Sequence, residues 1–563
     1  MLDRSRTRVR ALGTRWLCAT LALACIATTT VACSSDRDSA REPNDKPSRT
    51  AATSPAAAAG SFGTTTAAGQ PASKDRVIAL DGSSLTIADI VDIANSRASI
   101  EISSEGMDRI VAARSVVDHY IEEKLPAYGI TTMYGADFKT TLPPDDMKRF
   151  GRVNLIQEAI RVGDGTLPIV DVGTMRAAWA LLANSYARGF SGASPELATT
   201  LVDRVNSGRV PDNVEFGNSM GDADLTANAQ AAMSLLGDPR FELKAGEATN
   251  LLTHNFITVA MATEVAQRAK AFLRGEEASL ALTIEGFRAN LGPLSALASR
   301  QDALSSREKV RKDLTALLDG SRLWEADGPR QLQDFLSLRD GAENLATLRL
   351  ELDQFVPVLE AFANSNQGSP VVDVEHRTLT SVPDFDTSQV TLGMDSLRQA
   401  IGLVTVAANS RALKMMSPFL DLPSGLVAGD PNSFNGIYTR NVTYLMTSLE
   451  RAALLQTQPV LGLTESFVAE GDEDYSPAFP NSVLMADALV TRAEQVMVLE
   501  ALIGSAAVER RLESGELKPD DVPPALRDLQ AGVVKRSPLA IPIDQPYDLG
   551  PLLRYYLGNF ASS

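Results

Sequence analysis

The chain reads as a mostly α-helical protein built around a bundle of long helices. Apolar residues recur at helical spacing over long windows: Leu345, Leu348, Leu352, Phe355, Leu359 and Phe362 step by three and four. Alternating strand patterns are few, and no short-period repeat interrupts the helical ones. The 563 residues are 44% apolar and 22% charged, enough to bury a substantial core, which excludes wholesale disorder and a polytopic membrane protein.

Taken in order, the chain opens with Arg4, Arg6, Arg8, Arg10 and Arg15 ahead of a short apolar run at 16–26. A basic segment before a short apolar one is the layout of an export signal, here 1–32, and is too short to span a bilayer. Val31-Ala32-Cys33 sets small residues before a cysteine, which resembles a bacterial lipobox with Cys33 acylated, although Thr30 stands where leucine is usual. An ordinary secretory signal is the alternative. Cleavage before Cys33 removes five Arg and one Asp, a net +4, and takes the charge from −17 to −21. Residues 33–76 are mostly Ser, Thr, Ala, Pro and Gly with scattered charges and no apolar periodicity, and read as a disordered tether. As a flexible coil it would span roughly 35 Å. The expectation is a folded body held by lipid to the membrane of a bacterial cell envelope, outside the cytoplasm.

The body runs from 77 to 518, followed by an extension at 519–563. Its helical stripes include Leu489, Ala493, Val496, Leu499 and Ile503, and a third at Val442, Leu445, Leu449, Ala452 and Ala453. Pro357 predicts a kink in the first stripe, because proline removes a backbone donor. Strongly punctuated loops at 125–129, 218–224, 421–425 and 469–475 separate the helices, and chemistry on a helical scaffold tends to sit in such loops. The acidic charge argues against nucleic-acid binding. Cys18, Cys25 and Cys33 are the only cysteines, so the body has no disulfide framework or cysteine-ligated zinc. His119, His254 and His376 fall in no metal-binding spacing and read as structural; no metal is expected.

Four segments carry a family resemblance. Tyr128-Gly129-Ile130-Thr131-Thr132-Met133-Tyr134-Gly135 is similar to Tyr-Gly-Val-Asn-Thr-Gly-Phe-Gly. Arg176, Asn184 and Ala187-Arg188-Gly189-Phe190-Ser191-Gly192 match an Arg…Asn…Ala-Arg-Gly-Tyr-Ser-Gly pattern. Gln333-Asp334-Phe335-Leu336-Ser337-Leu338-Arg339 is similar to Gln-Asp-Pro-Tyr-Ser-Leu-Arg, and Asp472-Glu473-Asp474 stands for Gln-Glu-Asp. In that order and spacing they resemble the aromatic amino acid ammonia-lyases, the histidine and phenylalanine ammonia-lyases, over about residues 85–511. The resemblance implies the long helical bundle of the fumarase/ammonia-lyase type, a homotetramer whose active sites draw on several subunits, and elimination of an amine from an α-amino acid. Fold transfers more safely than activity.

In that family an Ala-Ser-Gly tripeptide cyclises to a methylidene-imidazolone. Gly221-Asp222-Ala223 replaces it here. Aspartate has no hydroxyl to lose as water, and alanine hinders the nitrogen that closes the ring, so the prosthetic group is not expected. Leu336 replaces a family tyrosine, Thr253 falls near a supporting asparagine, and Asp386 replaces a histidine of an Asn-Phe-His-Gly segment. Three positions match the family's functional residues: Tyr128 for the β-proton, Arg339 for the substrate carboxylate and Glu473 beside the amine. Plain readings stand beside these: a packed turn tyrosine, a surface ion pair and a solvated acidic loop. Asp224 reads as a turn or cap residue.

Two functions follow. A carbon–nitrogen lyase needs no electrophile when its substrate already carries a good leaving group, as in ergothionase, a family precedent that releases trimethylamine from a betaine. Arg339 would hold the carboxylate of an amino-acid-like small molecule, and Asp222 with Glu473 would face the cationic amine. The alternative is a degenerate lyase retained as an extracytoplasmic binding or structural lipoprotein. The segment after 519 lies outside the resemblance, and packing across a neighbouring subunit is the role suggested for it.

Overall fold

The computed structural model describes residues 69–561 except 218, 221, 296, 299–303, 417–425, 427–434, 463–464, 472 and 538–545. The leader, Cys33, most of the 33–76 segment, Gly221, Asp472 and the 421–425 loop lie outside the described residues.

The first half alternates a small parallel ribbon with short helices: β1 (Val77–Leu80), α1 (Ile87–Ala94), β2 (Ser99–Ile102), α2 (Ser104–Glu122), α3 (Pro144–Glu158), α4 (Val172–Ala187), α5 (Pro195–Ser207), α6 (Leu225–Leu236) and α7 (Glu247–Leu252). The bundle follows: α8 (Phe256–Phe287), α9 (Ser305–Leu317), the single turn α10 (Leu336–Arg339), α11 (Gly341–Ala363), the hairpin β3 (Val371–Asp373) and β4 (Thr378–Thr380), α12 (Ser388–Met415) and α13 (Asn435–Leu454). A second hairpin, β5 (Glu465–Val468) and β6 (Glu473–Tyr475), leads into α14 (Phe479–Glu513), then α15 (Pro524–Val534) and α16 (Gly550–Gly558). β1 pairs with β2 in parallel, Val77 opposite Ser99, and both hairpins are antiparallel. Among the described residues no helix is long and apolar enough to cross a membrane.

The 32 residues of α8 and the 35 of α14 form the axis of the bundle. Their close crossing needs small residues. A Cβ on Gly286 would lie 2.7 Å from both Ala507 Cβ and the Gly504 carbonyl, and one on Gly504 would lie 2.8 Å from Thr283 N. Real Cβ contacts do not come that close, so the two glycines set the separation of the helices.

The first two predicted stripes are buried: Leu345, Leu348, Leu352, Phe355 and Leu359 on α11, and all five on α14. Phe362 is half-buried, and α11 continues through Pro357 without a break. The third stripe is corrected. On α13 the buried face runs Val442, Met446, Ala453 with half-buried Leu449, while Leu445 is exposed. Both Leu445 and Met446 fit a step of three or four from Val442, so spacing alone did not choose between them; the helix turns Met446 inward, where its flexible thioether fills the core.

Packing begins before 77. The Ala72 amide donates to Asn206 O at 2.9 Å, and buried Arg176 donates to Gln70 O at 2.6 Å. The segment after 519 packs on its own bundle. Leu526, Val533, Leu552 and Tyr556 are buried there, and the Tyr556 hydroxyl lies 2.8 Å from the Gly275 carbonyl of α8. The sequence suggested a neighbour instead because its apolar positions are few and proline-broken, and the α8 carbonyl that Tyr556 reaches, Gly275, is 281 residues away.

Candidate active site

The loop before α6 is fixed from three sides. Ser219 Oγ donates to the Ala223 carbonyl at 3.0 Å, closing the turn on itself. The Met220 carbonyl accepts from Ala478 N at 3.0 Å and from Ser476 Oγ, which ties the loop to the segment after β6. Asp224 is fully buried and accepts from Thr258 N at 2.9 Å and Thr258 Oγ1 at 2.6 Å. It therefore caps not its own helix but the first turn of α8, where amides lack partners. Burial pushes its carboxyl up to about 6 despite these bonds.

This loop presents Asp222. Its carboxyl is pushed up to about 7, first by burial and then by the charges of Glu473 and Asp386. Asp222 Oδ2 is buried and, among the described residues, has no hydrogen-bond partner. The loop before α6, strand β6 and the turn before α12, distant in sequence, thus bring Glu473 and Asp386 within electrostatic reach of Asp222. Asp386 is held by Ser388, whose amide and hydroxyl donate to it at 3.0 and 3.1 Å, and Ser388 Oγ also bonds the Tyr475 hydroxyl of β6. The chemistry of such a cluster is attraction for a cation. Among the described residues no group of three or more His, Cys, Asp or Glu has the arrangement to hold a metal ion.

Tyr128 sits in a tight turn in which the amides of Ile130, Thr131 and Thr132 all reach the Ala127 carbonyl. Gly129 has φ +66°, and a Cβ there would lie 2.7 Å from Thr249 Oγ1, so only glycine fits. The Tyr128 hydroxyl accepts from Gly135 N at 2.9 Å, a donor at the oxygen that carries the charge when the phenol is ionised, before it takes a proton. A Cβ placed on Gly135 would come 3.9 Å from Ala469 Cβ, which sets the Tyr128 loop against the turn joining β5 to β6. Tyr134, where the family pattern has phenylalanine, packs on Phe150 with ring centroids 5.3 Å apart. Burial, then Glu158 and Tyr128, hold its phenol above the ordinary range.

Arg339 lies at the opposite end of the subunit. Its Nε is 3.6 Å from Asp340, and with Leu280, Ile284, Leu314 and Ala342 it lines a narrow crevice. Asp224 touches α8 at Thr258, whereas Arg339 meets it near Leu280. Those 22 residues at 1.5 Å each place the two regions roughly 33 Å apart. Helix α12 repeats the measure: Ser388 touches Asp386 at its start, and Arg411 bonds the Ser337 carbonyl of the Arg339 turn near its end. The subunit therefore joins Asp222, Glu473, Asp386 and the Tyr128 loop at one end and holds Arg339 at the other.

Two further residues were missed by sequence reasoning. Thr253 donates its hydroxyl to Thr249 O within its own helix, at 2.8 Å, and does not face the loop. Asn255 takes the buried place instead: its amide N–H donates to Gln367 Oε1 at 2.8 Å, and its Nδ2 to the Phe385 carbonyl beside Asp386 at 3.0 Å. A two-residue shift across Thr253-His254-Asn255 was the available signal. Tyr475 lacked one, since only the fold brings it to Ser388. His254 is buried and stacked on Phe256 at 5.2 Å, and burial pushes its imidazole down to about 3, so it packs as a neutral ring.

The long helical bundle is the architecture that the resemblance implies, and comparison with known proteins agrees. Residues 85–529 match the model of the aromatic amino acid lyases, and the chain belongs to that family of carbon–nitrogen lyases. Histidine ammonia-lyase of Caldanaerobacter subterraneus is 25% identical over 464 residues, covering 77% of this chain and 88% of that protein. Among solved structures, ergothionase of Treponema denticola, an ergothioneine-degrading enzyme, superposes with a TM-score of 0.77 at 18% identity, covering 86% of this chain and 98% of its own. Histidine ammonia-lyase of Trypanosoma cruzi gives 0.73 at 21% identity, over 86% and 93%.

Proposed function

We propose that this protein eliminates an amine, such as trimethylamine, from an amino-acid-derived betaine without a methylidene-imidazolone. The observation that carries the reading is a half-buried carboxyl, Asp222, within electrostatic reach of Glu473 and Asp386, at the position that matches the family's tripeptide serine. A residue without a hydroxyl cannot lose water to form the exocyclic methylidene, so the donor set does not fit the prosthetic group. A negative cluster suits a quaternary ammonium, which leaves as a neutral amine without activation. The Tyr128 phenolate takes the β-proton, the C–H pair becomes the new double bond, and the C–N pair leaves with the nitrogen. Arg339 grips the carboxylate.

Because the two ends of a subunit are far apart, a complete site combines Tyr128, Asp222 and Glu473 of one copy with Arg339 of another. A homotetramer of the family kind supplies that combination. Exposed Leu392, Leu403 and Leu413 along α12, and Leu336 at 60% exposure on α10, support such packing. Acylation of Cys33 would hold this assembly on the outer side of a bacterial membrane. The exposed Leu336 in place of the family tyrosine, and Thr253 turned into its own helix, favour the second reading, a degenerate lyase kept for binding or structure.

The test is ultraviolet absorbance of newly formed arylacrylates with residues 34–563, offering histidine, tyrosine and phenylalanine beside their trimethylammonium betaines. Signal with betaines alone is expected. Signal with the free amino acids would overturn the electrophile-free reading, and silence throughout would favour the binding role.

A further inference from the structure

A buried arginine connects the middle of the bundle to the turn that bears Arg339. Arg411 of α12 has a side chain only 1% exposed. Its Nε and Nη2 donate to the two oxygens of Glu500 on α14 at 2.7 and 2.8 Å, and Nη2 also reaches Glu276 Oε1 on α8 at 2.5 Å. The remaining nitrogen, Nη1, donates to the carbonyl of Ser337 at 3.0 Å.

Ser337 lies inside α10, which has only four residues. A helix that short is a single turn and does not fix its own orientation. Its last carbonyls have no partner within the helix, and a buried one needs a donor from elsewhere. Arg411 is that donor. Glu500 and Glu276, from two different long helices, occupy the other edges of its fork, so Nη1 has one direction left. A planar guanidinium carries this rigidity and a lysine ammonium does not. Burial, then the neighbouring Glu500, hold the Glu276 carboxyl well above its ordinary range.

We propose that Arg411 is a positioning residue for substrate binding: clamped by Glu500 and Glu276, it holds the Ser337 carbonyl and so presents Arg339, two residues on, to the substrate carboxylate. The proposal rests on the role given to Arg339 above. It assigns a task to an arginine that touches neither substrate nor the reacting atoms.

The experiment is calorimetric titration of the full chain with two probes: 3-phenylpropanoate for the carboxylate end and tetramethylammonium for the acidic end. Arg411→Lys keeps the charge and loses the fork. It is expected to weaken 3-phenylpropanoate binding by about tenfold or more, with tetramethylammonium binding and oligomeric state as in the wild type. Unchanged 3-phenylpropanoate affinity in the folded variant overturns the proposal. So does an equal loss for both probes, which is the mark of a general structural role. Should Arg411→Lys fail to assemble, Glu500→Gln takes its place; it loosens the clamp but leaves an acceptor, and weaker binding of 3-phenylpropanoate alone is expected, while wild-type 3-phenylpropanoate affinity or an equal loss for both probes overturns the proposal. Arg339→Ala separates the two layers. If it binds 3-phenylpropanoate as well as the wild type does, the Arg339 assignment fails, and this inference with it.

Discussion

At the scale of single side chains, the proton on Asp222 governs what the acidic cluster binds. Burial and two like charges push its carboxyl up to about 7, so the neutral acid persists where other carboxylates have ionised. A bound cation needs the carboxylate. Alkylammonium affinity should therefore rise as pH increases through about 7 and level off above it, and Asp222→Asn should both weaken binding and flatten the pH profile. Titration with tetramethylammonium between pH 5 and about 9 measures this; a wild-type profile already flat would remove Asp222 from the cation site. The sign for stability is opposite. The folded state holds this proton more tightly than the unfolded chain, so the group withdraws stability as pH climbs from the ordinary 3.8 to about 7. Tyr128→Phe and Arg339→Ala should each abolish turnover in the arylacrylate assay, and activity surviving in both variants would dismiss the assigned residues. Thr258→Val leaves buried Asp224 Oδ1 without its partner at 2.6 Å and should cost about 1–3 kcal/mol in urea unfolding.

The elements show which parts of the molecule could be foreseen and why. Long helices declare themselves, because a buried face repeats every three or four residues and needs no knowledge of its partner. The stripes on α11 and α14 were legible for that reason, and the one on α13 failed where Met446 rather than Leu445 faces inward. The candidate site was legible only as motif positions that stand in the sequence: Tyr128, Arg339, Glu473 and the substituted Asp222. What joins them was not. Ser388 bridging Asp386 to Tyr475, and Arg411 bonding Ser337, are contacts across 87 and 74 positions that no local pattern announces. The α8–α14 crossing is of the same kind. Gly286→Ala would force a Cβ to 2.7 Å from Ala507 Cβ. The helices must separate to admit it, at a cost of about 1–3 kcal/mol. A fall in the thermal midpoint with the oligomer intact is the expected result, and an unchanged midpoint would show that the crossing can relax.

For the whole molecule, the roughly 33 Å along α8 between the Asp222 end and the Arg339 end has a direct consequence for mixed assemblies. If a working site takes Tyr128 from one copy and Arg339 from another, neither Tyr128→Phe nor Arg339→Ala alone contains an intact site. Their mixture does. Where an Arg339→Ala subunit contributes Tyr128 and a Tyr128→Phe subunit contributes Arg339, both functional groups meet in the same site. Random assembly of equal amounts gives each site a probability of about one quarter of being whole. Co-expression of the two variants should therefore recover up to about a quarter of wild-type turnover, although each is silent by itself. The same count applies to 3-phenylpropanoate binding only through Arg339, which is wild type in half of the subunits, so binding and turnover should recover to different extents. No recovery in a co-purified mixed oligomer would mean that each subunit completes its site alone. The two ends of the bundle would then have to be joined by a rearrangement rather than by a neighbour.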